Sequence, residues 1–393
     1  MALRSLSAEV SDLCIGKPEL KWIAATASVA EALAALKASG EIYISIWICS
    51  QNAAGGSCVC VGKFSAADVI LFLCREENLA DPFKALQTPV CDILPKGIPI
   101  VRRVAPNSSL LEAMDYMLDG TQNLVVPIQN QRFNYARKKL ENRQQLSSSC
   151  HEQHECCWLT QEDVLRFILN SVGSFSPVTT YSLDSLNIID RDIMTITHNK
   201  PASSALGYFH RAITEQKSVA VIDEENRLMG EISPQTLAYC DETAASAIMV
   251  LSAIDLMAYI DCGSPPPEDL MQLVKTRLEE RNLGGMVDMM DESIHPSLLY
   301  CSSSSSLSSD DDFVSGMSKG SSKGSSRNYA AGRCEPLVCS PRSSLLAVMM
   351  QALAYRVSCV WVVEEDHTLV GTVSLAGILS VFLSVADGMH SKS

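Results

Sequence analysis

No apolar run in this chain is long enough to cross a bilayer. The best stretch, "SAIMVLSAIDLMAYI" from Ser246 to Ile260, falls short of about 20 residues and carries Asp255, so it reads as a core helix. The N-terminal "MALRSLSAEVSDL" has no apolar h-region, and a cleaved address is not expected. Positive charge is also scarce: 31 Lys and Arg stand against 45 Asp and Glu, a net charge of −14. That balance argues against a general nucleic-acid or anionic-membrane surface. The 15 cysteines show no disulfide framework and read as buried thiols of a reducing compartment, the cytoplasm, with the nucleus also open.

What is present is ample material for burial. A chain of 393 residues, 47% hydrophobic and 19% charged, exceeds the size at which one core stops growing, so two domains or an array of repeats are expected. One cluster invites a metal reading. In "CHEQHECCWLTQEDVL", residues 150–165, Cys150, His151, His154, Cys156 and Cys157 crowd together, and zinc takes Cys sulfur and His nitrogen. The spacing opposes it. Cys156 and Cys157 would point to opposite faces of a strand, the two histidines are only two residues apart in between, and no second Cys or His pair follows at finger-like distance. No metal is expected.

One unit recurs four times. A helical apolar pattern opened by Ser or Pro leads into β-branched strands, then into a short strand ending in Ser or Thr, then into a second apolar helix. Leu110, Ala113, Met114 and Met117 show the helical period, with Ser108 or Ser109 as N-cap. "SVAVID" and "CVWVVEED" are strands closed by the polar turns "EENR" and "EEDH". The interval from cap to strand-end hydroxyl is nearly equal in copies three (Ser203 to Ser233) and four (Ser343 to Ser374). It is longer in copies one (Ser28 to Ser65) and two (Ser108 to Thr160), where the extra residues belong to hairpin-tip loops.

The stretches "GKFSAAD", "CWLTQED", "DEENRLMGEIS" and "EDHTLVGTVS", in register, resemble the CBS domain, named for cystathionine β-synthase. Four copies without a catalytic domain are similar to plant proteins made only of CBS repeats, distantly related to the nucleotide-sensing γ subunits of AMP-activated kinases. The resemblance implies an α/β (α+β) fold of four repeats, each a small three-stranded sheet with two helices, joined through their sheets into two modules with ligand clefts. The expected boundaries are 9–172 for the N-terminal module (repeats about 9–80 and 85–172), 173–182 for a linker, and 183–385 for the C-terminal module (repeats about 183–260 and 334–385). A helical insertion is expected at 264–283 and a disordered Ser-rich linker at 301–332.

Candidate chemistry lies where a hydroxyl precedes a carboxylate by three residues: Ser65 with Asp68, and Thr160 with Asp163. An ionised Asp accepts two hydroxyl protons, as a ribose diol offers, and a helix N-terminus favours phosphate. The same spacing is also a plain capping box, and both readings stand. The family resemblance implies an adenine nucleotide (AMP, ADP or ATP) as regulatory ligand at these positions. Copies three and four lack the carboxylate, having Thr236 after Ser233 and Gly377 after Ser374. Lys63 and Arg102 or Arg103 are candidates for approaching phosphate. No Cys–His pair recurs at a helix start, so an enzyme is not expected.

The functional expectation is a non-enzymatic regulator that binds an adenosine-type ligand in the N-terminal module and modulates a protein partner. A kinase complex or a thioredoxin is what the resemblance implies for that partner, and a homodimer is compatible with it. The alternative is a ligand-free interaction scaffold. In the tip insertion of copy two, Arg132, Arg137, Lys138, Lys139 and Arg143 make a solvated basic loop. In the Ser-rich linker, Ser308 and Ser309 precede Asp311 and Asp312 by three residues and are phosphorylation candidates.

Overall fold

The computed structural model describes residues 8–50, 57–95, 101–128, 155–175, 177–261, 266–294 and 334–390. In the first repeat β1 (Trp22–Ala24) pairs in parallel with β2 (Ile44–Ser50), which turns back antiparallel onto β3 (Ser57–Phe64). The same three-stranded order recurs in β4 (Val101–Arg103), β5 (Asn123–Pro127) and β6 (Cys156–Thr160), then in β7 (Met194–Thr197), β8 (Val219–Ile222) and β9 (Leu228–Ile232). It recurs last in β10 (Val338–Cys339), β11 (Cys359–Val363) and β12 (Leu369–Ser374).

Parallel neighbours need a crossover, which is why each repeat places a helix between its first two strands. The main helices are α1 (Val10–Leu13), α2 (Val29–Ser39) and α3 (Ala66–Leu73) in repeat one, where two single-turn helices, Glu76–Leu79 and Pro82–Ala85, follow α3, and α4 (Leu110–Leu118) and α5 (Gln161–Asn170) in repeat two. Repeat three has α6 (Leu183–Leu186), α7 (Leu206–Glu215), α8 (Pro234–Ala238), α9 (Ala244–Val250) and α10 (Ala253–Ile260). The helical insertion follows as α11 (Glu268–Glu280) and α12 (Gly284–Ile294), and repeat four carries α13 (Leu345–Tyr355) and α14 (Leu375–His390).

Local chemistry sets the crossover helices. Ser28 accepts from the Glu31 N–H at 3.2 Å while the Glu31 carboxylate accepts from the Ser28 N–H at 2.8 Å, a complete capping box, and α2 stops at Gly40 in the left-handed conformation. Ser109 and Ser344 cap α4 and α13 by the first half of that exchange alone, accepting from the Glu112 N–H at 3.1 Å and the Ala347 N–H at 3.3 Å. Repeat three departs from the pattern. Ser203 does not cap its helix; a 3-10 turn over Ala202–Ala205 follows Pro201 and runs directly into α7.

The repeats join on two kinds of surface. Sheet faces one and two share an apolar layer of Leu20, Trp47, Cys58, Val125 and Cys156. Sheet faces three and four share Ala220, Trp361, Val363 and Leu369. The helical faces then close against each other: repeat one on repeat three, with α3 against α8, and repeat two on repeat four, with α14 against α4 and α5.

The leading segments cross over. Residues 9–20, counted with repeat one in the sequence, lie on repeat two: Val10 N–H donates to Ser108 O at 2.9 Å, Leu20 N–H to Cys156 O at 2.8 Å, and α1 packs on α5. Likewise Leu183 N–H donates to Ser343 O at 3.1 Å, so the segment leading repeat three lies on repeat four. This crossing explains the glycine of the turn-strand signature. At Gly371 an added Cβ would sit 2.5 Å from the Asp190 carbonyl oxygen of the crossing segment, and at Gly62 it would sit 2.6 Å from Leu94 Cδ1.

One pair of cysteines differs from the expectation of thiols. Cys49 and Cys58 face each other across β2 and β3, Cα atoms 4.2 Å apart, and form a disulfide. Hairpin register brings them opposite in the closer kind of antiparallel pair. The other described cysteines are thiols.

Candidate functional site

The helix starts of all four repeats converge on a central cavity of about 290 Å³. Ser65 and Asp68 stand in its wall because β3 ends at Phe64 and α3 begins at once. Asp68 Oδ2 accepts from Ser65 N–H and from Ser65 Oγ–H, both at 2.8 Å. Burial raises the Asp68 carboxyl above its ordinary range, opposed by the Ser65 hydrogen bonds and by Lys63.

Lys63 projects from β3 into the same space. Its Nζ lies 3.6 Å from the centroid of the Tyr43 ring and donates to Asn123 Oδ1 at 3.4 Å. Burial brings its ammonium down to about 8, with Asp68 acting against that shift. Burial, and then Asp68, pushes the Tyr43 hydroxyl up. Asn123 is only 1% exposed, and its Nδ2 has no hydrogen-bond partner among the described residues. A buried amide donor without an acceptor costs about 1–3 kcal/mol unless something supplies one.

The C-terminal half completes the walls with Gln216, Gln235, Arg356 and Ser358. Gln122 ties the halves together, its Nε2 donating to Ile213 O at 2.8 Å and Thr214 O at 2.6 Å. Asp68 also borders a second cavity of about 290 Å³, lined by Arg75, Asp92, His210 and Thr214. Burial, then the nearby Arg75 charge, lowers the His210 imidazole. The arrangement offers a carboxylate acceptor, a cation and an unsatisfied donor in one enclosed space, the complement of a molecule carrying both hydroxyls and anionic oxygens.

The second sequence candidate sits differently. Thr160 lines the central cavity, but Asp163 does not. Asp163 Oδ2 accepts from Thr160 N–H at 2.8 Å and Oγ1–H at 2.7 Å, and it forms an ion pair with Lys17, whose Nζ also donates to Trp158 O at 2.8 Å. The two carboxylates are therefore not brought together. Ser233 Oγ accepts from the Thr236 N–H at 2.9 Å, and Ser374 Oγ from the Gly377 N–H at 3.1 Å, so both serve as caps without a carboxylate. Arg102 lies on the Tyr116 ring, 3.5 Å from its centroid, and neither it nor Arg103 lines the cavity.

Sequence reasoning missed Tyr43, Asn123 and Arg356. The signal available was a polar residue at the threshold of a β-branched strand, as in "NLVVP". Of the Cys and His cluster at 150–157, Cys150, His151 and His154 lie outside the described residues, as do the basic loop and Ser308 and Ser309. Among the described residues no group of three or more His, Cys, Asp or Glu could hold a metal ion, and no helix is long and apolar enough to cross a membrane.

Four sheet-and-helix repeats, paired through their sheets around a common cavity, define a CBS-type protein, and comparison with known proteins agrees. The CBS domain family matches residues 332–384. The CBS domain-containing protein CBSX5 of Arabidopsis thaliana is 41% identical over 97% of this chain and 98% of its own length. CBSX6 of the same plant is 27% identical over 94% and 92%. The SNF1-related protein kinase regulatory subunit gamma-like PV42b, also from Arabidopsis thaliana, is 19% identical over 97% and 96%. Among solved structures, protein MJ1225 of Methanocaldococcus jannaschii, described as an archaeal homologue of γ-AMPK, superposes with a TM-score of 0.54. That match has 13% identity and covers 95% of this chain and 100% of the archaeal one. The chain belongs to the CBS domain-containing proteins.

Proposed function

We propose that this protein is a non-enzymatic cytoplasmic regulator whose central cavity binds an adenine nucleotide, AMP, ADP or ATP, and whose occupancy is passed to a protein partner. The observation that carries the reading is Asn123: a buried, unpartnered amide donor beside Lys63, in the same enclosure as Asp68. Asp68 would receive the ribose hydroxyls, and Lys63 and Asn123 would meet phosphate oxygens. A kinase complex is the partner class supported by the name of the PV42b relative. A thioredoxin-type partner rests on the family resemblance alone.

A ligand-free scaffold is favoured by one observation: the Ser65 N–H and hydroxyl are already satisfied by Asp68 as a capping box. Calorimetric titration of AMP, ADP and ATP separates the two. Under the nucleotide reading, Asp68→Ala removes a charge-assisted bond of about 1.5–3 kcal/mol and lowers affinity roughly ten- to a hundredfold, and Asn123→Ala weakens binding as well. Asp163→Ala and Thr236→Ala leave affinity unchanged. No heat from wild type at millimolar nucleotide returns the scaffold, and equal binding by all variants overturns this cavity as the nucleotide site.

A further inference from the structure

Cys157 stands where copy two lacks the glycine of the repeat signature. Three residues before the strand-end hydroxyl, copies one, three and four carry Gly62, Gly230 and Gly371; copy two carries Cys157 before Thr160. Each of those glycines lies where an added Cβ would collide with a neighbouring segment, and at Gly371 that segment is the one leading repeat three. In copy two the crossing segment is residues 9–20, and Cys14 of that segment packs against the core that holds Cys157, close enough that each thiol acts on the other's titration.

The two thiols are unlike. Cys157 is 1% exposed, inside the core that joins repeats two and four. Cys14 caps the C-terminus of α1 and is half-buried, beside Ile15, which is 82% exposed. Lys17 stands near Cys14, held by Asp163 and by Trp158 O. The neighbouring Cys157 thiol, and after it the Lys17 charge, draw the Cys14 thiol below its ordinary range, against the effect of burial and of Asp163. An accessible, acidified thiol in contact with a buried partner thiol is the arrangement found where a cysteine is oxidised and then resolved.

We propose that Cys14 and Cys157 form a redox latch, a dithiol that a hydroperoxide converts to a disulfide fastening the leading segment to β6. The Cys14 thiolate attacks the hydroperoxide, forming an S–O bond as the O–O bond breaks; the departing alkoxide takes a proton and leaves as the alcohol, or as water from hydrogen peroxide. Cys157 then attacks the Cys14 sulfur. The S–S bond forms, the S–O bond breaks, and hydroxide leaves with the Cys157 proton as water. Two thiols lose two electrons in all, and the hydroperoxide gains them. Because the chain between these residues spans most of the N-terminal module, the closed bond constrains a long loop of the unfolded chain and should raise the melting temperature.

The test uses the reduced full-length protein, freed of reductant and treated with stoichiometric hydrogen peroxide. The remaining thiols are alkylated under denaturing conditions, and tryptic peptides are mapped. The expected product links the peptide carrying Cys14 to the one carrying Cys150, Cys156 and Cys157, with fragmentation of the linked pair placing the bond on Cys157. The link persists in Cys156→Ser, whose wild-type side chain faces the layer between the two sheets, and disappears in Cys157→Ser. Oxidation raises the melting temperature of wild type and of Cys156→Ser, and not of Cys14→Ser. Mapping of wild type alone suffices if a variant does not fold. Linkage through Cys150 or Cys156, or Cys14 carried to sulfinic acid while Cys157 is still alkylated, overturns the proposal.

Discussion

Glu231 is the residue at which burial and charge conflict most openly. It is 6% exposed between sheets three and four, where Trp361 Nε1–H donates to its Oε2 at 2.6 Å. Burial raises its carboxyl to about 7, against the lowering effect of hydrogen bonds from Trp361 and Ser218. Between about pH 4.5 and 7 the folded state therefore holds a proton that the unfolded chain has released, and stability falls as pH rises through that window. The loss is about 3 kcal/mol, at roughly 1.36 kcal/mol per pH unit, and levels off above it. Glu231→Gln keeps an oxygen for Trp361 and cannot ionise, so from pH 5 to 8 the wild-type denaturant midpoint should drop relative to that of the variant. Parallel curves for the two proteins would refute this. In the sequence Glu231 was one more acid in a turn-strand signature; only the facing sheet desolvates it.

At the level of elements, the crossing segments give the signature glycines their meaning. Gly371 has the backbone oxygen of Asp190 in the space a side chain would take, and Asp190 and Thr372 exchange backbone hydrogen bonds at 2.8 Å, so neither strand can yield cheaply. Gly371→Ala is expected to cost about 1–3 kcal/mol by overpacking. Gly377 is the control. In α14 an added Cβ there meets only Ser374 Oγ at 3.5 Å and Ile188 O at 3.8 Å, so Gly377→Ala should stabilise by up to about 1 kcal/mol through helix propensity. Urea unfolding of the two variants decides it, and a neutral Gly371→Ala would show that the crossing segment moves aside. In repeat four the cap is Ser344, one residue after the Ser343 from which the sequence interval was counted; the caps at Ser28 and Ser109 were legible because capping is local chemistry. The 3-10 entry to α7 was not, because Ser203 looks like its counterparts until Pro201 sets the preceding turn.

Across the whole molecule, the two modules meet through their helical faces, and the contact is core rather than surface. Phe382 of repeat four is fully buried and packs edge-on against Phe175, which follows repeat two, with ring centroids 5.1 Å apart. Arg166 of α5 donates to Leu353 O at 2.7 Å, and Lys37 pairs with Glu242 at 2.7 Å, so polar contacts also cross between the halves. Unfolding should therefore be one calorimetric transition. Phe382→Ala should lower it as a unit, by about 3–5 kcal/mol, without splitting it. Two resolved transitions in wild type would mean that the modules fold independently.

The sequence by itself determined the repeat, its helix-hairpin-helix order, its caps and the hydroxyl-carboxylate pair at two helix starts. All of these are set by periodicities and hydrogen bonds spanning a few residues. It could not determine that Asp163 is covered by Lys17 while Asp68 faces a cavity, that Asn123 lacks an acceptor, or that Cys157 meets Cys14. Those facts depend on which distant segments meet, the crossing leader on repeat two and the helix starts around the cavity, and only the tertiary structure brings segments so far apart in the chain together.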